Sequence, residues 1–249
     1  MNPVDSEMLV RNLKELNLAT MARELDTHLR QARESHADYE ELLLNLTDFE
    51  LQVRKENRRK RMLKEAKFPL LKPLETFNFE SAPDLDGRLI RELATGEYAR
   101  DAKNIIFMGR SGTGKTHLAT GLGMAACNQG MRVRFVTGCG LVNELVEARE
   151  EKDLSRIIRR YVNYDVLILD ELGYVPFSKE GAELLFQILT ERHERKSVII
   201  TTNLGFADWT QIFGDANLTA ALLDRVTHRA TIVNCIWDSF RLKDTLKNR

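Results

Sequence analysis

Gly109-Arg110-Ser111-Gly112-Thr113-Gly114-Lys115-Thr116 follows the pattern Gly-x-x-x-x-Gly-Lys-[Ser/Thr]. The stretch entering it, Asn104 to Met108, reads Asn-Ile-Ile-Phe-Met and predicts a strand, while Thr116-His-Leu-Ala-Thr-Gly-Leu leaving it predicts a helix. A phosphate-binding loop requires that setting. Glycines let the backbone amides turn inward as an anion nest, and the positive end of the following helix adds to it. In such a loop Lys115 is expected to reach the β- and γ-phosphates of a nucleotide and the Thr116 hydroxyl to ligate Mg²⁺. Gly109, Arg110, Ser111, Gly112, Thr113 and Gly114 complete the expected cradle. A glycine-rich turn with a chance lysine is the bland alternative, and the flanking strand and helix argue against it.

Outward from the loop, further β-rich runs (Arg132 to Thr137, Asp165 to Leu169, Ser197 to Thr202, Ala230 to Asn234) alternate with helix-like stretches such as Thr116 to Asn128 and Lys179 to Arg192. That alternation predicts an α/β fold with a parallel sheet covered on both faces. Val166-Leu167-Ile168-Leu169-Asp170-Glu171 is a buried strand ending in two carboxylates. Beside a phosphate loop, Asp170 is placed to hold Mg²⁺, through water, and Glu171 to polarise a water for in-line attack on the γ-phosphate. Ser197 to Asn203 ends a strand on a polar amide. Asn203 either orients the attacking water or the γ-phosphate, or is an ordinary turn former. Arg225, Arg229 and Arg241 are surface arginines or, for a hydrolase, candidates to neutralise transition-state charge, also across a subunit boundary.

Upstream the pattern is helical. Leu9, Leu13, Leu16, Met21, Leu25 and Leu29 make one stripe on a helix from about Asp5 to Arg33, and a second helix starts at a capping box of Asp38 and Glu41. It ends at Phe68-Pro69, because proline disfavours helical geometry in the residue before it. Leu70 to Pro83 has three prolines in or beside it and little periodicity. The expected organisation is therefore a helical N-terminal domain over 1–69, a linker over 70–83 and the catalytic domain over 84–249.

The 37 basic and 37 acidic residues of the 249-residue chain balance, but Arg54 to Lys67 holds eight basic residues against two acidic ones. On a helix, Arg54, Arg58, Arg61 and Lys64 fall three or four apart, with Arg59 beside them, and can follow a phosphate backbone with little sequence preference. The plain alternative is a solvated helix end. Arg156, Arg159 and Arg160 are a second candidate contact. Three scattered cysteines, Cys127, Cys139 and Cys235, read as reduced thiols rather than a disulfide framework or a metal site. No apolar run approaches the ~18 residues of a membrane span and Met1 to Val10 lacks the pattern of a signal peptide, so a cytoplasmic protein with no membrane partner is expected.

The phosphate loop, the Asp-Glu strand, Thr201-Thr202-Asn203 and the late arginines, in this order, resemble an AAA+ ATPase. More closely, Leu169-Asp-Glu-Leu-Gly-Tyr-Val-Pro-Phe with Leu222-Leu-Asp-Arg-Val-Thr-His-Arg-Ala resembles the IstB-like ATP-binding proteins of bacterial insertion sequences, relatives of the DnaC helicase loaders. The resemblance implies a P-loop AAA+ three-layer sandwich preceded by a small all-helical domain, with ATP and Mg²⁺ as cofactors. It makes Asn203 the first sensor, Arg225 an arginine finger presented to a neighbour's nucleotide and Arg241 the second sensor. Here the sensor string reads Ser239-Phe240-Arg241 where the family has a tyrosine, and Asn78-Phe79 stands where an Asp-Phe is usual, leaving the adenine contacts unassigned. The implied activity is ATP hydrolysis by a homo-oligomer on double-stranded DNA, in support of the transposase of the same element. A replicative helicase loader is the alternative. A DNA scaffold with a non-catalytic nucleotide switch is disfavoured by Glu171, and a small-molecule kinase by the lack of any acceptor-binding motif.

Overall fold

The computed structural model describes the backbone of residues 3–240 and the side chains of 6–240. By their contacts the residues group into two units, Met1–Arg61 and Met62–Arg249.

In the first unit the expected single helix is two, α1 (Pro3–Glu15) and α2 (Ala19–Ser35). The chain breaks at Asn17, which takes a left-handed φ of 59°, a conformation asparagine tolerates better than most residues. Leu18 provides no side-chain cap for α2. Instead Glu50, on α3 (Tyr39–Ala66), accepts the amides of Thr20 and Met21 at 2.8 and 2.9 Å. A carboxylate at a helix N-terminus satisfies amides that would otherwise lack partners. Leu13, Met21, Ala22, Leu25 and Leu46 form the core beneath. The expected start of α3 is present, with Asp38 accepting the Glu41 amide at 2.8 Å.

Residues 70–83, expected as a linker, contain two 3-10 turns, Leu74–Thr76 and Phe79–Ser81, and bury Phe77 and Ala82. After the short α4 (Gly87–Leu93) and α5 (Glu97–Arg100) come β1 (Ile105–Gly109), α6 (Lys115–Asn128), β2 (Val133–Thr137), α7 (Gly138–Glu150), α8 (Leu154–Val162), β3 (Val166–Leu172), α9 (Lys179–Arg192), β4 (Ser197–Thr202), α10 (Thr210–Phe213), α11 (Ala216–Thr227) and β5 (Thr231–Cys235). The five strands form one sheet in the order β2-β3-β4-β1-β5, and every neighbouring pair is parallel. Alternation along the strands supplies both layers. Ile105, Phe107, Ile168, Ile199 and Val233 meet Leu118, Leu122 and Ala126 of α6, while Ile106, Leu167, Leu169, Val198 and Ile200 meet α7, α8, α9 and α11.

Fully buried Arg192 ties the strand ends together. Its Nη1 donates to the carbonyls of Tyr161 at 2.6 Å and Tyr164 at 2.8 Å, and its Nη2 to that of Ser197 at 2.6 Å. These carbonyls belong to the end of α8, the approach to β3 and the start of β4, so one guanidinium fixes three backbone segments. Burial lowers its pKa to about 9, which leaves it charged at neutral pH. Arg192→Lys keeps the charge but not the planar fork, and is expected to lower the unfolding free energy by about 3 kcal/mol or more in a urea titration; a loss below 1 kcal/mol would show that the carbonyls find other donors.

Candidate functional site

The phosphate loop joins β1 to α6 where the strands end. Gly109 and Gly112 have φ of 151° and 83°, and a Cβ on Gly109 would stand 2.1 Å from the Cys235 carbonyl oxygen. Only glycine fits there. Lys115 is 8% exposed and its Nζ donates to the carbonyls of Gly109 and Arg110 at 2.7 Å. That places the ammonium over the loop, within reach of an anion bound in it.

Thr116 Oγ1 donates toward both oxygens of Asp170, at 3.0 and 3.1 Å. Asp170 is buried at the end of β3, and Thr201 Oγ1 of β4 donates to its Oδ1 at 2.5 Å. The same Thr201 oxygen accepts the Glu171 amide at 3.0 Å. Register explains the arrangement: Leu169 pairs with Ile200 and Leu172 with Thr202, so two residues of β3 stand against one of β4. This is a β-bulge with Thr201 opposite it. Glu171 takes a φ of 57° and becomes exposed while its neighbours stay buried. A left-handed glutamate stores backbone strain, held here by the Thr201 hydroxyl and the sheet on either side.

Lys115, Thr116, Glu171 and Thr201 line a cleft of about 290 Å³, with Asp170 buried behind them, closed on other sides by Lys72, Thr76, Phe77, Asn78, Tyr174 and Phe240. The Tyr174 hydroxyl donates to Ser111 Oγ at 3.4 Å. The segment after β5 crosses the loop: Trp237 Nε1 donates to the Thr113 carbonyl at 2.8 Å and the Phe240 amide to that of Gly112 at 3.0 Å. Phe77 packs edge-on against Phe240 and His117, with ring centroids 5.8 and 5.2 Å apart. Phosphate-binding amides at one end and aromatic rings at the other suit a nucleotide.

The other expected residues are dispersed. Asn203 follows β4, exposed, its Oδ1 beside Gly173, while Thr201 and Thr202 form the cleft wall. Arg225 is in the last turn of α11, 4.9 Å over the Phe186 ring, with Nη1 donating to the Ala221 carbonyl at 2.7 Å. It does not line the cleft of its own chain. Arg241 lies outside the described residues. On α3, Arg54 pairs with Glu50 at 2.7 Å and also donates to the Asn17 carbonyl, and Arg59 pairs with Glu56 at 2.8 Å. Arg58, Arg61 and Lys64 are exposed. Arg156 and Arg160 are ion-paired with Asp153 and Glu144, leaving Arg159 exposed. Thr201, Phe77, Tyr174, Trp237 and Phe240 carry no assignment from sequence. Of these, Thr201 had a signal, two threonines ending a strand read as buried.

A P-loop between the first strand and its helix, a carboxylate pair ending the neighbour-but-one strand and a five-stranded parallel sheet define a P-loop ATPase of the AAA+ class. The profile of the IstB-like ATP binding protein family matches residues 11–248, and the chain belongs to that family. It is 37% identical over 238 residues to a protein of insertion sequence IS232 from Bacillus thuringiensis subsp. berliner described as ATP-binding, covering 96% of this chain and 95% of that one. It is 38% identical over 235 residues to its counterpart in insertion sequence IS21 of Pseudomonas aeruginosa, covering 94% and 89%. Among solved structures, the crystal structure of the DnaC helicase loader superposes with a TM-score of 0.56 at 26% identity, covering 70% of this chain and 100% of that one. The chain thus resembles ATP-binding proteins of insertion sequences along nearly its whole length, and the DnaC helicase loader over its sheet-bearing part. Among the described residues no helix is long and apolar enough to cross a membrane.

Burial raises the Asp170 pKa from its ordinary value, against the lowering effect of the Thr201 and Thr116 hydroxyls. A raised carboxyl contributes folding stability that is fully present below the unfolded pKa and is lost as pH rises through the folded one. A cation held by Asp170 would run the other way, since it needs the ionised form. Metal-dependent nucleotide affinity is therefore expected to weaken on acidification at a higher pH than an ordinary aspartate sets. Thr201→Val removes a hydroxyl that favours ionisation and should move that midpoint higher still. Calorimetric titrations from about pH 4, the ordinary Asp value, upward would refute the coupling if both proteins share one midpoint.

Proposed function

We propose that this chain is an ATP-hydrolysing helper of transposition that assembles as a homo-oligomer on double-stranded DNA and recruits or stimulates the transposase of its own insertion sequence. The observation that carries the reading is the cluster of Thr116, Asp170, Thr201 and Glu171 beside an intact phosphate loop, in a chain whose relatives are named for insertion sequences.

The Thr116 hydroxyl and the Asp170 carboxylate bring hard oxygen donors together, the chemistry that suits Mg²⁺. Bound there, the ion would offset charge on the phosphates. Lys115 turns its ammonium from the loop carbonyls to the β- and γ-phosphates, and the amides of Gly109 to Thr116 receive the phosphate oxygens. Glu171 accepts a proton from water as the water oxygen attacks the γ-phosphorus; the bond from that phosphorus to the bridging oxygen breaks, releasing ADP and phosphate. Asn203 orients the water or the γ-phosphate. Arg225, outside its own cleft, neutralises charge in a neighbour's, and Arg241 is the candidate second sensor. Arg58, Arg61 and Lys64, with the half-exposed Arg54 and Arg59, line α3 as phosphate contacts along DNA. Loss of the γ-phosphate loosens the subunit contact. Helicase loading is the second reading, favoured by the likeness to the DnaC loader.

Glu171→Gln is expected to bind ATP normally and to lose at least ~100-fold in turnover, the scale of a lost general base; normal hydrolysis would remove Glu171 from the mechanism. Arg225→Ala should retain nucleotide affinity in single subunits and lose turnover only in the assembly. Fluorescence anisotropy of duplex and single-stranded DNA, read with Glu171→Gln in ATP and with the parent protein in ADP, separates the two readings. Duplex binding confined to ATP supports the transposition helper, and binding confined to single strands favours the loader.

A further inference from the structure

Pro69 to Pro73 projects an apolar knob. Leu70 and Leu71 are 64% and 62% exposed, between Lys67 and Lys72. Both ends of the segment are anchored: Phe68 packs against Phe135, ring centroids 6.2 Å apart, and Leu74 fills the space over Gly121 that a Cβ would enter at 2.6 Å. The two prolines stiffen what lies between. Two adjacent leucines held out in solvent by anchored flanks forgo the stabilisation that burial against a partner would supply.

A matching hollow lies elsewhere in the same unit. Val142 and Val146 of α7, with Val175, Pro176 and Phe177 of the loop after β3, line a groove of about 540 Å³. Glu147 and Glu150 border it, and among the described residues neither has an ion-pair partner. An apolar floor with an acidic rim complements two leucines flanked by lysines.

The two surfaces belong to opposite layers of the sandwich. Phe68 and Leu74 join the core on the α6 side, whereas Val142, Val146 and Phe177 join the core built by α7, α9 and α11, the layer that also carries Arg225. A knob on one layer and a groove on the other cannot meet within one molecule without unfolding. They meet between copies, as a heterologous, head-to-tail contact. Each surface also borders the nucleotide cleft. Lys72, next to the knob, lines it, and the loop that supplies Val175 to Phe177 to the groove supplies Tyr174 to the cleft and continues directly from the end of β3, which supplies Glu171.

We infer that the Leu70-Leu71 knob of one copy docks in the groove between α7 and the loop after β3 of the next, and that this contact links successive nucleotide clefts in the assembly. The inference rests on the proposed ATP-dependent homo-oligomer and assigns its interface. Lys67 and Lys72 face Glu147 and Glu150 across the contact, and the segment from Glu171, at the end of β3, to Ser178 relates the state of one cleft to the seating of the neighbour.

The test uses the full chain carrying Glu171→Gln, with ATP, and mass photometry over a range of concentrations. Leu70→Asp with Leu71→Asp, and separately Val146→Asp, should each raise the concentration needed for assembly by about 100-fold or more, with ATP binding to single subunits unchanged. Mixed together, the two variants retain one sound knob and one sound groove, so they should form pairs and nothing longer. Leu71→Cys should be joined to the native Cys139 of the next copy by a short bis-maleimide, giving a ladder that Cys139→Ser abolishes. A ladder that stops at pairs and survives Cys139→Ser would overturn the head-to-tail contact. Assembly of both variants at the parent's concentration would overturn the interface and leave the ATP-dependent oligomer standing. If the parent fails to assemble in ATP, both the interface and the oligomer fall.

Discussion

The Thr201 hydroxyl is asked for twice at the end of the sheet. It donates its proton to Asp170 and accepts the amide of Glu171, and these are consecutive residues that the strand alone would direct to opposite faces. The bulge resolves the conflict by setting two residues of β3 against one of β4. Asp170 consequently remains buried and turned to Thr116 while Glu171 is lifted into the cleft in a left-handed conformation. The cost of that backbone is of order 1–3 kcal/mol. It is borne because β3 is interior to the sheet, flanked by β2 and β4, and its apolar residues are packed on both faces.

The base of the same strands is held by a different device. Arg192 gathers carbonyls from α8, the approach to β3 and the start of β4, so the strand that carries Asp170 is fixed at one end by a buried guanidinium and at the other by Thr201. A side chain placed by two such restraints keeps its position against thermal fluctuation, as preorganised sites require.

Much of this is local and therefore readable in the chain. The phosphate loop, the run Val166 to Glu171 and the strands at Arg132 and Ser197 each announce themselves within a dozen residues, because loop chemistry and buried-strand composition are short-range properties. The bulge is not of that kind, since it exists only once β3 is laid beside β4, and Thr201 acquires its role from that pairing. Phe77 and Phe240 meet across more than half of the chain, and neither strand periodicity nor motif spacing carries information on such an encounter. The break at Asn17 was hidden similarly: the leucine stripe runs through it, and the cap that allows α2 to restart comes from Glu50, far along the sequence.

Trp237 places its indole nitrogen on the Thr113 carbonyl, at the centre of the phosphate loop, whereas the other tryptophan, Trp209, is sealed in the core among α9, α10 and α11. Indole emission responds to the polarity and hydrogen bonding of its surroundings. The chain thus carries its own optical probe at the phosphate loop, with the second indole as an internal reference, and events at the loop can be followed in the unlabelled protein.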